Sequence, residues 1–215
     1  MHRIKPPAAV RIAALAFAAA LVPAVLPAAA QDASPGAAPD AAAGAPPGVE
    51  VVASGLTNPR GFTWGDDGAL YLALTGTGGP TMGEIGGAPS GLSGGPTASV
   101  VRVAEGCADP VADGLPSSLW EGVGWIWGVA DVAVLDGELY ALVSGGGTNY
   151  GNPDTSSGVY RLADDGSTAL VADLSAWFRA NPVEFIAPDY NEDGSLFSMQ
   201  AGEDRLWIVE AGGGG

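Results

Sequence analysis

Two groups of side chains in this sequence have the types and spacing that binding chemistry needs. Asn58 and Arg60 stand in TNPRG, Asp131 in GVADV, and Asn191 and Asp193 in YNEDG, with Glu184 slightly earlier in that third stretch. Carboxylates and amides are the oxygen ligands that a hard cation such as calcium takes. An arginine facing carboxylates can instead hold a charged ligand. The plainer alternative is that Arg60 and Asp131 satisfy one another or nearby backbone groups, as buried charges require. Trp120, Trp125 and Trp127 form the second group, in SLWEGVGWIWG. They suit a platform for a saccharide or an aromatic ligand. Because Trp125, Ile126 and Trp127 alternate as in a strand, packing between neighbouring sheets is the favoured reading.

Other chemistries lack their parts. The single histidine is His2 and the single lysine is Lys5, both in an N-terminal stretch that reads as a removable leader. Without them the chain offers no Ser-His-Asp triad, Cys-His pair, Schiff-base lysine or histidine zinc site. Acidic turns such as Asp66-Asp67 and Asp164-Asp165 lack the D-x-[DN]-x-[DN]-G spacing of an EF-hand. Cys107 is the only cysteine, so the chain has no internal disulfide. It sits in GCADP with no basic neighbour to activate it, and is incidental or paired outside this sequence.

The leader spans residues 1–30: His2, Arg3, Lys5 and Arg11, an apolar run broken by Pro23 and Pro27, and an A-x-A site at Ala28 to Ala30. The run is too short and too interrupted for a bilayer span. These features predict a secreted protein, extracellular or periplasmic, with no stable membrane insertion after cleavage. Residues 31–48 are a Pro/Ala/Gly tether with nothing to bury. The formal net charge of the whole chain is −16, and cleavage removes only positive charge, leaving Arg60, Arg102, Arg161, Arg179 and Arg205 against 24 acidic residues. Phosphate backbones need clustered positive charge, so nucleic acid is excluded as a partner. Acidity of this size favours solubility.

Residues 49–215 position the candidate groups through a repeat. VVASGLTNPRGFTWGDDGALYLAL returns about 60 residues later as PVADGLPSSLWEG followed by GVADVAVLDGELYALV, the kind of period found in propellers and solenoids. Val52, Val111 and Val171 open matching stretches. Leu70-Tyr71, Leu139-Tyr140 and Leu206-Trp207 fall at matching late positions, and Arg102-Val103 matches Arg161-Leu162. Glycines and acidic turns divide the first unit into four strands, at 49–53, 61–64, 69–75 and 99–104. The third strands, ALYLAL, ELYALV and RLWIVE, are apolar on both faces, as in stacked sheets. Glycine-rich spans 76–98 and 145–157 read as loops gathered at one end, either binding loops or solvated spacers. The expectation is an all-β, β-propeller fold, six-bladed when complete, with about two and three-quarter blades present. The third copy breaks off before its closing strand, so the sequence is expected to be an N-terminal fragment.

The ordered run of leader, VVASGLTNPRGFTWGDDGALYLAL, a glycine-rich insertion ending in TASVVRV, GLPS and LYALVSGGG resembles the ScyD/ScyE family of secreted bacterial propeller proteins. The resemblance covers about residues 49–215. It implies a β-propeller and export, with no established reaction. Family members often carry G-P-H-D before the second inner strand; here the stretch is WIWGVADV, where Asp131 matches the aspartate and Ala130 replaces the histidine. The third-blade pattern is met only by Pro188-Asp189 and Asn191.

The leading expectation is a ligand-binding or interaction scaffold whose partner is a small molecule, a saccharide or a protein. The rival is a six-bladed hydrolase, lactonase or sugar dehydrogenase with a divalent metal or quinone in a central channel. A third arrangement, an open chain closed by oligomerisation, would leave an exposed sheet edge.

Overall fold

The computed structural model describes residues 48–184 and 190–212. The leader, the tether apart from Gly48, Pro188-Asp189 and the last three glycines lie outside the described residues. Among the described residues the fold is all-β: antiparallel sheets and one short α-helix.

The first sheet contains β1 (Pro59–Trp64), β2 (Leu70–Leu74), β3 (Thr81–Ile85), β4 (Ala88–Ala104), β5 (Cys107–Trp120) and β6 (Trp125–Trp127), ordered β1-β2-β4-β5-β6 with β3 also on β4. The second contains β7 (Val129–Leu135), β8 (Glu138–Val143), β9 (Gly158–Leu162) and β10 (Thr168–Asp173), a simple meander. After α1 (Leu174–Ala180), β11 (Leu196–Ala201) and β12 (Leu206–Glu210) pair as a third sheet.

The sheets stack face to face because their middle strands are apolar on both sides. In β8, Ala141 and Val143 join a core with Ala73, Val100 and Leu115 of the first sheet. The alternate residue Leu142 joins Leu196 and Met199 of the third sheet in a second core. A period of two with both faces apolar therefore places β8 between two neighbours. The expected turns are present: Asp67 accepts a hydrogen bond from Ala69 N–H at 3.0 Å between β1 and β2. Asp136 and Gly137 both take positive φ between β7 and β8, as a two-residue hairpin requires.

Three expectations are corrected. Residues 49–53 form no strand; Ala53 and Leu56 instead pack against Leu70, Leu74, Val101 and Val103 on the outer face of the first sheet. The repeat-equivalent segments around Val111 and Val171 lie in β5 and β10, the fourth members of the β1-β2-β4-β5 and β7-β8-β9-β10 meanders. Each stretch that opens a sequence unit thus finishes the sheet of the unit before it. The span 76–98 is largely strand. β3 and the first half of β4 form a hairpin, and β4 and β5 run on together as a long ribbon. Its glycines serve close approach: a Cβ on Gly83 or Gly94 would collide with backbone atoms of Asn149 or of Tyr150 and Gly151.

The span 145–157 is likewise an ordered plug. It contains a 3₁₀ turn at Thr148–Tyr150, with Asn149 and Tyr150 buried. Asn152 Nδ2 donates to Ser117 O at 2.8 Å and Gly145 O at 2.7 Å, tying the plug to the first sheet and to its own base. The helix α1 follows β10 directly. Asp173 caps it by accepting from Ala176 N–H at 2.8 Å, the usual role of aspartate at that position.

Candidate functional site

The first strands of the three sheets, β1, β7 and β11, meet, with β7 between the other two. Asp131 locks this meeting point. Its Oδ1 accepts from Val132 N–H and its Oδ2 from Met199 N–H on β11, both at 2.9 Å. Only glycine fits opposite, since a Cβ on Gly61 of β1 would overlap the Asp131 carboxylate. Both carboxylate oxygens thus serve backbone donors, and Asp131 acts as a clamp between sheets.

Beside this junction lies a cavity of about 820 Å³, within the size range of small-molecule sites. Arg60 and Asn58 reach it from the start of β1, Phe197 from β11 and Asn191 from the segment before β11. The aromatic wall comes from the hairpin of β5 and β6, which pairs Trp120 directly with Trp125. Their rings meet edge to face at 6.1 Å, Trp125 meets Trp127 at 6.3 Å, and Trp127 meets Tyr150 at 5.7 Å. Trp125 remains 61% exposed, so this tryptophan row faces the cavity more than it fills a core.

Among the described residues, Arg60 is the one charged residue in the lining. Its guanidinium lies over the Phe197 ring, 4.7 Å from the centroid, an attraction of cation for ring quadrupole. Partial removal from water lowers its pKa, opposed by the negative charge of Asp131. Asn58 is a corner residue, with positive φ. Its Nδ2 donates to Gly76 O at 2.8 Å, while its carbonyl accepts from Thr75 N–H and Oγ1–H, both at 3.1 Å. Asn191 Oδ1 accepts from Asp193 N–H at 2.9 Å and Asn149 Nδ2 at 3.0 Å.

The remaining candidates lie elsewhere. Asp193 is 1% exposed and accepts from Asn149 N–H at 3.0 Å and from Arg179 on α1. It anchors the 145–157 plug to α1 and the third sheet. Glu184 is exposed and outside the lining. Asp131, Asp193 and Glu184 therefore do not assemble into the calcium site that their sequence positions suggest, and among the described residues no three histidine, cysteine or acidic side chains form a metal-binding group. Cys107 is exposed and unpaired at the start of β5. No helix among the described residues is long and apolar enough to cross a membrane.

Sequence reasoning missed Tyr150, Phe197, Ile85 and Leu92, which also line the cavity. Tyr150 was visible as a lone aromatic in a polar glycine-rich span. Its buried hydroxyl donates to Gly194 O at 2.9 Å and lies 3.3 Å from Ser195 Oγ. Burial pushes its pKa far above the ordinary tyrosine value. No family model, curated protein or solved structure matches this chain.

Proposed function

We propose that this chain is part of an exported β-propeller of the ScyD/ScyE type that acts as a binding scaffold, with the tryptophan-lined cavity as its ligand site. The observation that carries this reading is the convergence of β1, β7 and β11 beside one cavity. First strands brought together from successive stacked sheets are what a propeller places around its channel. The leader motif and the resemblance of residues 49–215 support export and the family, and the exposed aromatic row supports binding.

Binding is tested by calorimetry on the full chain with monosaccharides, aromatic acids and their amides as probes. Saturable binding that Trp125→Ala weakens is the expected result. Heat at the dilution background for every probe at millimolar concentration would overturn the reading. The propeller part is tested by an experimental structure, where sheets that fail to stack about a common axis would sink it.

A further inference from the structure

The lining of the cavity selects among ligand classes. The chain carries 24 acidic residues and 8 basic ones, yet among the described residues no aspartate or glutamate lines the cavity and Arg60 does. Most other polar groups there are already engaged. Ser90 Oγ donates to Asn149 O at 2.7 Å and accepts from Leu92 N–H at 3.2 Å. Thr75 Oγ1 donates to Asn58 O at 3.1 Å, and Ser195 Oγ lies 3.3 Å from the Tyr150 hydroxyl.

Among the described residues, the guanidinium of Arg60 makes no hydrogen bond and no ion pair. Asn191 Nδ2 likewise donates to none of them, while its Oδ1 is doubly occupied. Asn58 Nδ2 is spent on Gly76 O, and Asn58 Oδ1 and the Tyr190 hydroxyl are the side-chain acceptors left over among the described residues. The unspent capacity is therefore dominated by donors, five of them on one planar fork. Sugar hydroxyls and hard cations need acceptors, which this lining provides poorly. A carboxylate matches the fork geometry of arginine.

We infer that the cavity takes a planar aromatic carboxylate, its anionic end on Arg60 and its ring against the row formed by Trp120, Trp125 and Trp127. The inference rests on the cavity being a binding site and adds the chemical class of ligand. Nothing in the chain's overall charge assists it: the net charge of −16 repels anions at a distance. Selection is local, at one guanidinium. The ring end gains from apolar burial and from edge-to-face contact with tryptophan.

The experiment is calorimetry on the full chain with four probes: 2-naphthoate, its neutral isostere 2-naphthamide, acetate and glucose. The expected result is that 2-naphthoate binds at least about tenfold more tightly than 2-naphthamide or acetate. Arg60→Gln should abolish the preference for naphthoate over naphthamide, and Arg60→Lys should retain part of it. Unchanged far-ultraviolet circular dichroism and melting establish that both variants are folded. Equal binding of naphthoate and naphthamide, tighter binding of glucose, or an unaltered preference in Arg60→Gln would overturn the ligand class and leave the cavity a binding site. Silence from all four probes would overturn both.

Discussion

Arg60 and the other described arginines occupy opposite electrostatic situations. Arg102 reaches back to the β1–β2 turn, where its Nη2 lies 2.9 Å from Asp67 Oδ2, and Arg161 meets Glu138 at 3.2 Å at the equivalent place in the second sheet. Arg205 pairs with Asp204 at 2.6 Å, and Arg179 with Asp193. The pairs of Arg102, Arg161 and Arg205 sit at exposed turns, where water screens the interaction and contributions to stability are small. Arg60 has an aromatic face beneath it in place of a carboxylate, and the nearby Asp131 is committed to backbone donors. The repeat-equivalent Arg102 on β4 and Arg161 on β9 thus each neutralise one surface carboxylate, whereas the arginine at the strand junction has no such partner among the described residues.

The contrast can be broken at several points. The largest effect is expected from Asp193→Ala, which removes a fully buried carboxylate from Asn149 N–H and Arg179. A loss of about 3 kcal/mol in urea unfolding is expected, because a buried donor loses its partner. Asp131→Asn keeps one oxygen and turns the amide NH₂ toward a backbone N–H of Val132 or Met199. It should cost about 2 kcal/mol and increase amide exchange at Val132 or Met199; unchanged exchange at both would refute the clamp.

Tyr150→Phe should cost about 1 kcal/mol near neutrality and alter the alkaline limb. Burial raises the folded-state pKa of Tyr150 above its ordinary value of 10.0. The stabilisation is therefore fully present below pH 10 and is lost as pH rises toward the folded pKa. Unfolding curves at rising pH should fall more steeply for the native chain than for the variant, and parallel curves would contradict this.

Arg102→Gln should have the smallest effect. Asp67 is held below its ordinary pKa first by Ala69 N–H and then by Arg102. In the variant its carboxyl should rise part of the way back, measured by carbon-13 titration. A depressed carboxyl contributes stability above its unfolded pKa that is lost as pH falls through its folded pKa. The acid-side loss should therefore be smaller in the variant.

The strands of strongest pattern were legible. Most of ALYLAL and all of ELYALV became β2 and β8, because the apolar runs LYLAL and LYALV fit a sheet covered on both faces. The acidic turns were legible for the same local reason. The phase of the sheets was not. A repeat looks identical wherever its origin is set, so sequence alone could not tell that the segments around Val111 and Val171 finish a preceding sheet. The hairpin of β3 and β4 left a missed signal: Gly86 and Gly87, both with positive φ, between Ile85 and Ala88. Glycines read as looseness were sites where one backbone touches another. The site was partly legible. Asn58, Arg60, Asn191 and the three tryptophans gather at one cavity, whereas Asp131, Asp193 and Glu184 do other things.

The sequence by itself determined the all-β character, the turn positions and the inventory of side chains, because these depend on local conformational preference and on alternation along each strand. Only the tertiary structure decided which carboxylates are consumed and which donors stay free. The hydrogen bond from Met199 N–H to Asp131 Oδ2, 68 positions apart, follows from how sheets pack. Packing committed that carboxylate to backbone groups and left Arg60 facing a cavity lined by tryptophan.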